Sequence, residues 1–184
     1  MCGIAGYIGK GKLDNNIINS ISSTMSHRGP DANNFSSTIM TNGLNIYFFH
    51  NRLSILDIHP RSNQPMEYNG NILTFNGEIY NFKDIRNKLQ KKYHVKFRSK
   101  SDSEVLLMGL SLEGKKILNK LNGMWSFAFY DKKRDILLFS RDRIGEKPLY
   151  FHKNKDGFYF ASEINTLFKL LNKNAPLNMS HINT

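Results

Sequence analysis

The chain opens MCGIAGYIG, with its single cysteine directly behind the initiator methionine. A lone cysteine is ordinarily an inert, small, buried hydrophobe. Here it has another use, because removal of Met1 would leave Cys2 with a thiol and a free α-amino group on one residue. Reference pKa values are about 7.7–8.0 for that amine and about 8.5 for the thiol. A nucleophile would then carry its own general base, as in enzymes built on an N-terminal threonine. A second stretch, NGEIY, offers the side-chain amide of Asn76 and the unobstructed backbone N–H of Gly77. That is the kind of donor pair that stabilises a developing oxyanion. The competing reading is a β-turn, and the dipeptide alone favours it, since Asn-Gly is the strongest short hairpin signal.

A length of 184 residues, 40% hydrophobic and 22% charged, suits one domain with a substantial core and excludes disordered or fibrous classes. One cysteine excludes an internal disulfide or a thiolate metal cluster built from this chain alone. No residue cluster suits zinc, and no Walker-type phosphate loop is present. The start of the chain lacks a basic region followed by a long apolar run, so no secretory signal is visible. NIYFF and ILLF are far shorter than the roughly 20 residues that cross a bilayer. The expectation is a cytoplasmic protein with a reduced thiol and no membrane contact. The net charge of +11 raises nucleic acid as a partner. Its densest basic stretch, residues 82–100, starts as an amphipathic helix with Phe82, Ile85 and Leu89 inward. The lysines there form a solvated face, and those of DKKRD and KNKDG sit in turns, so no nucleic-acid partner is expected.

The elements that must hold Cys2 and Asn76 read as follows. Ile17, Ile18, Ile21 and Met25 have helical spacing over Asn15 to Ser26, with Asp14 as N-cap, and HRGPDANNF breaks that helix. LNIYFFHNRLSI and NILTFNGEIY read as strands, and a helix follows from Asn81 to Lys92. Ser101 and Glu104 form a capping box at the head of SDSEVLLMGLSLEG, a further helix. MWSFAFYD and DILLFSRD are strands joined by a Lys-Lys-Arg turn. LYFHK and GFYFASE are joined by a turn holding Asp156 and Gly157. EINTLFKLL is a short last helix, and residues 172–184 read as linker or as the start of a further segment. Strands at both ends with helices between fit an α+β layered domain. A first strand locked into a sheet would hold Cys2 in place instead of letting the terminus fray.

Six stretches in order, MCGIAG, HRGPD, HNRLSILD, NGEIYN, SDSEV and GMWSFAFYD…SRDRIGEKPLYF, closely resemble the glutaminase domain of glutamine-hydrolysing asparagine synthetases. The likeness covers Met1 to Leu171. It implies a four-layer αββα N-terminal-nucleophile fold, two antiparallel sheets between helical layers. It implies hydrolysis of L-glutamine to glutamate through a γ-glutamyl thioester on Cys2, with ammonia passed to a second active site. With the resemblance, Asn76 and Gly77 become an oxyanion hole. Substrate contacts are implied at Arg52, Leu53, Ser54, Ile55 and Leu56, with Asn76 and Gly77 also in the substrate site. Arg52 can hold the α-carboxylate by a bidentate pair that lysine could not match. Asp102, with Glu78, would receive the α-ammonium. Asp102 also fits a plain helix-start acid, and Glu78 a structural strand residue. His27, Arg28 and Asp31 are expected to be architectural. Arg141, Asp142 and Arg143 are expected to form a buried or interdomain ion-pair network, and Trp125 and Phe127 to be core.

No cofactor or metal is implied for the glutaminase step. ATP and magnesium belong to the synthetase domain that follows in complete members, whose Ser-Gly-Gly-x-Asp-Ser loop does not occur in these residues. The expected partner is therefore a synthetase domain or subunit that takes up the ammonia, and a homodimer fits the same picture. The other readings are the glutaminase of an aminosugar- or purine-type amidotransferase, and a catalytically idle fragment or basic binding module. HNRLSILD and SDSEV lean toward the asparagine branch.

Overall fold

The computed structural model describes residues 1–172; the rest of the segment read as linker, 173–184, lies outside them. The strands are β1 (Gly3–Gly9), β2 (Ala32–Ile39), β3 (Asn45–Arg52), β4 (Met66–Tyr68), β5 (Asn71–Ile79), β6 (Gly123–Asp131), β7 (Ile136–Arg141), β8 (Tyr150–Lys153) and β9 (Gly157–Ala161). They form two sheets, ordered β2-β3-β1-β9-β8 and β4-β5-β6-β7, with antiparallel pairing throughout. The first strand is thus central, paired with β3 on one side and β9 on the other, and every residue of it is buried. That placement fixes Cys2 at the edge of an ordered layer.

Alternation along the strands separates three cores. Ile4 and Ile8, Ile46 and Phe48, Ile72, Ala128 and Tyr130, and Phe160 meet between the sheets. The opposite face of the four-stranded sheet presents Leu73, Phe75, Phe127 and Phe129 to α2 (Phe82–Tyr93) and α3 (Asp102–Glu113). The opposite face of the other sheet presents Ala5, Tyr7, Phe49 and Tyr159 to α1 (Asn15–Thr24) and α4 (Ile164–Leu171). The result is the αββα sandwich that the resemblance implies, with Trp125 and Phe127 in its core. By the same alternation His50 and Arg52 of β3, Asn76 of β5 and Ser126 of β6 face the inter-sheet space toward one end.

Several local expectations change. The first helix ends at Thr24, with Asp14 as its N-cap accepting from the Asn16 N–H at 2.7 Å. Only part of HRGPDANNF is a break, because Ala32 begins β2. That edge strand carries polar, exposed Asn33 and Asn34, so it has no apolar run to announce it. LNIYFFHNRLSI is strand only as far as Arg52. Half of the capping box forms: Ser101 Oγ accepts from Glu104 N at 3.3 Å. The Glu104 carboxylate turns instead to the N–H groups of Arg98 and Ser99, both at 2.7 Å, because those loop donors would otherwise go unpaired. Arg141, Asp142 and Arg143 make no ion pair among the described residues. Asp142 accepts from the N–H groups of Trp125, Glu146 and Lys147, and Arg141 donates to the Lys147 carbonyl.

His50 gives the fold a measurable pH dependence. The ring is completely buried; burial pushes its pKa down to about 4, Arg52 pushes the same way, and the hydrogen bond to the Phe75 carbonyl (3.1 Å) opposes them. The unfolded chain binds the proton first, so stability is complete above the ordinary histidine pKa and falls as pH drops toward the folded value. Between about pH 7 and about pH 5 this residue should remove roughly 2 kcal/mol. Urea denaturation of the native chain and of His50→Gln at both pH values should show that slope in the first and its loss in the second.

Candidate active site

One pocket, a cavity of about 90 Å³, opens at the end of the inter-sheet layer. Cys2, Arg52, Leu53, Ile55 and Leu56 line one side, and Asn76, Gly77, Glu78 and Asp102 the other. Of the residues expected to meet substrate, Ser54 alone lies outside the lining; its N–H donates to Asp31 Oδ2 at 2.6 Å. The Cys2 sulfur accepts from Leu53 N–H at 3.4 Å and lies 3.7 Å from the Leu53 carbonyl. Burial pushes the thiol pKa up, the Leu53 N–H and the positive chain terminus and Arg52 pull it down, and Asp102 adds to the rise. The net effect favours the thiol, so a proton acceptor is needed to generate the thiolate.

Asn76 and Gly77 are not in a turn. They sit inside β5, opposite Ser126 and Trp125 of β6. On its other side β5 pairs with β4 over Asn71 to Leu73 and no further, which leaves the rest of that edge open. Gln64 covers part of it with its side-chain amide, accepting from Phe75 N at 2.8 Å, and Asp102 Oδ2 accepts from Ile79 N at 2.9 Å. Backbone N–H groups two residues apart point to the same edge, so the Gly77 N–H, between those two, faces the pocket. The Asn76 Nδ2, in the same pocket, is buried and has no hydrogen-bond partner among the described residues. A side chain at Gly77 is impossible: a Cβ there would lie 2.2 Å from the Met124 carbonyl.

Asp102 stands at the first turn of α3, where burial raises its pKa, Ile79 and Ser103 N–H groups lower it, and Glu78 adds to the rise. Arg52 gives both hydrogens of Nη1 to His59 O (3.2 Å) and Asn63 Oδ1 (2.7 Å), and both of Nη2 to Leu56 O (3.3 Å) and Asp57 O (2.6 Å). It therefore braces the loop that closes the pocket. The HRGPD stretch is a scaffold for the same region. Arg28 Nε donates to the Cys2 carbonyl at 3.0 Å, and Glu163 accepts from Arg28 and pairs with His27. A Cβ on Gly29 would meet the Asn51 backbone at 2.3 Å, which is why this turn needs glycine.

Ser62, Gln64, Ser103, Met124 and Lys147 also line the pocket and were not singled out in the sequence, although Ser103, Met124 and Lys147 lie within SDSEV, GMWSFAFYD and SRDRIGEKPLYF. They arrive from segments far apart in the chain: Ser62 from a 3-10 turn, Gln64 and Lys147 from loops, Ser103 from the first turn of α3 and Met124 from the start of β6. No group of three His, Cys, Asp or Glu able to hold a metal occurs among the described residues, and no helix there is long and apolar enough to cross a membrane.

Residues 1–184 match the family model described as glutamine amidotransferase domain. The chain is 34% identical over 205 residues to a putative glutamine-hydrolyzing asparagine synthetase of Methanocaldococcus jannaschii, covering 97% of this chain and 37% of that protein. It is 36% identical over 174 residues to a glutamine-hydrolyzing asparagine synthetase of Bacillus subtilis, covering 91% of this chain and 27% of that one. The chain thus spans little more than a third, or less, of these relatives. Among solved structures, the glutamine phosphoribosylpyrophosphate amidotransferase of B. subtilis superposes with a TM-score of 0.73 at 18% identity. That match covers 93% of this chain and 44% of the other, and it shows a shared fold.

Proposed function

The chain belongs to the glutamine amidotransferase domain family, and on that premise we propose that its pocket hydrolyses L-glutamine to glutamate and ammonia. The reading is carried by one observation: a thiol, an unpartnered amide donor beside an open-edge backbone N–H, and a carboxylate pair line the same cavity. With Met1 removed, the Cys2 α-amine takes the thiol proton as sulfur adds to the side-chain carbonyl carbon of glutamine. Asn76 Nδ2 and the Gly77 N–H donate to the oxygen as it becomes negative. The adduct collapses to a thioester, the amine returns the proton to the departing nitrogen, and ammonia leaves. Water then adds to the thioester and releases glutamate, restoring the thiol.

Asp102 and Glu78 hold the substrate ammonium, and Arg52 its carboxylate, which takes over donors now given to loop oxygens. Loss of those loop contacts on binding couples substrate to the closing segment. The names of the relatives support asparagine synthesis as the destination of the ammonia. In the longer protein a synthetase site using ATP and magnesium accepts it, and the setting is cytoplasmic.

Intact-protein mass spectrometry after exposure to a diazoketone analogue of glutamine tests this directly. The expected species lacks Met1 and carries one adduct, located on Cys2 by peptide mapping. An unmodified chain, or an adduct elsewhere, would refute the proposal.

A further inference from the structure

Lys147 is a cation of this pocket that the chemistry above leaves unused. It is only 5% exposed, yet it makes no salt bridge among the described residues. Its Nζ donates to the sulfur of Met1 at 2.9 Å, the residue whose departure creates the terminal amine. An ammonium buried without a counter-ion is costly, and the backbone here is built to hold it. Asp142 Oδ2 accepts from Lys147 N at 3.0 Å and Arg141 Nε donates to its carbonyl at 2.7 Å. Asp142 N donates in turn to the Trp125 carbonyl at 2.8 Å, tying this loop to β6 next to Met124 of the pocket.

The charged groups that line the pocket with Cys2 are Arg52 from β3, Glu78 from β5, Asp102 from α3 and Lys147, and Arg28 from the loop before β2 reaches the Cys2 carbonyl. The two arginines are held by loop oxygens and by Glu163, and Asp102 by backbone N–H groups. A methionine sulfur lies within about 6 Å of the following nitrogen. Added to the contact with Nζ, this places the ammonium within about 9 Å of the Cys2 nitrogen. We propose that Lys147 is a positioning residue for the base: its charge disfavours protonation of the freed Cys2 amine and keeps that amine ready to accept the thiol proton near neutral pH. The inference rests on the terminal-nucleophile reading. At such a separation, away from bulk water, a like charge displaces a titration by several tenths of a pH unit to about one unit.

The measurement is the pH dependence of kcat/KM for glutamate release, with labelling of Cys2 by the diazoketone as a second readout. In Lys147→Met the acid limb should move to higher pH by several tenths to about one unit, and Lys147→Arg should restore the native midpoint. A limb that stays in place in Lys147→Met, or moves equally far in Lys147→Arg, overturns the inference while the nucleophile reading stands. Failure of the native chain to be labelled at Cys2 overturns that reading and this one together. Lys147→Gln is the second neutral variant. Loss of folding in both neutral variants, seen by circular dichroism, makes Lys147 a structural residue and also counts against the proposal.

Discussion

Replacing Cys2 with alanine is expected to reduce glutamate production to background while leaving the thermal midpoint nearly unchanged. The two halves of this result have separate causes. The sulfur is the only thiol in the chain, and no other pocket side chain can form a thioester. Loss of a covalent nucleophile from an acyl-transfer site costs on the order of 10⁴-fold or more in kcat. Folding depends little on the same atom. Cys2 is half-buried, and among the described residues the hydrogen bonds of its sulfur are with the Leu53 backbone alone, at lengths typical of weak contacts to sulfur. The main-chain contacts that seat it survive in alanine, namely the hydrogen bond from Arg28 Nε to its carbonyl and the pairing of the strand that follows. A stability loss of about 1 kcal/mol or less is therefore expected. Coupled glutamate assays with thermal denaturation of the same preparations check both halves. Retained turnover in a folded variant would remove the thiol from the mechanism.

Cys2 was legible as a candidate nucleophile because it stands next to Met1 and before a Gly-rich strand, and the fold places it in the pocket lining. The strands of the core were legible for the same kind of reason: Ile46, Phe48 and Phe49, or Phe127 and Phe129, make long apolar runs that only burial explains. Asn76-Gly77 shows the opposite case. Local preference favours a turn, but the flanking apolar residues pair with β6 in register, and that longer-range pairing decides the conformation. What looked like a turn signal is an open strand edge, which is better suited to present an N–H to a ligand. The edge strand β2 was hidden because its exposed polar residues have no period to read. Lys147 and Ser62 were hidden for a third reason. They are ordinary residues that reach the pocket only because loops held by Asp142 and Arg52 fold over it. Arg52 itself was legible as a cation for the site, whereas its hold on the loop could not be read, since every acceptor but Asn63 is a backbone carbonyl.

A chain that cannot expose the Cys2 amine should lose most of its turnover although the thiol is intact, and this is the sharper test because the sulfur remains. Inserting a leucine between Met1 and Cys2, or acetylating the terminus of processed protein, achieves it in different ways. In the unprocessed chain Met1 lines the pocket and its sulfur accepts from Lys147, so an extension occupies space that substrate needs as well as tying the amine into a peptide bond. Burial holds the Cys2 thiol protonated, and the amide nitrogen that replaces the amine cannot take its proton. General base catalysis contributes about 10²–10⁴-fold, and the occluded pocket adds a loss of affinity. The acetylated chain separates these effects, because an acetyl group is smaller than methionine. It should bind glutamine, measurable by calorimetry or by protection against unfolding, yet release glutamate at least about 10²-fold more slowly. The leucine-extended chain should fail at both steps. Rapid turnover by an acetylated terminus, verified by mass, would show that some other group takes the thiol proton, and Asp102, whose pKa is raised by burial in the same pocket, would then be the first to examine.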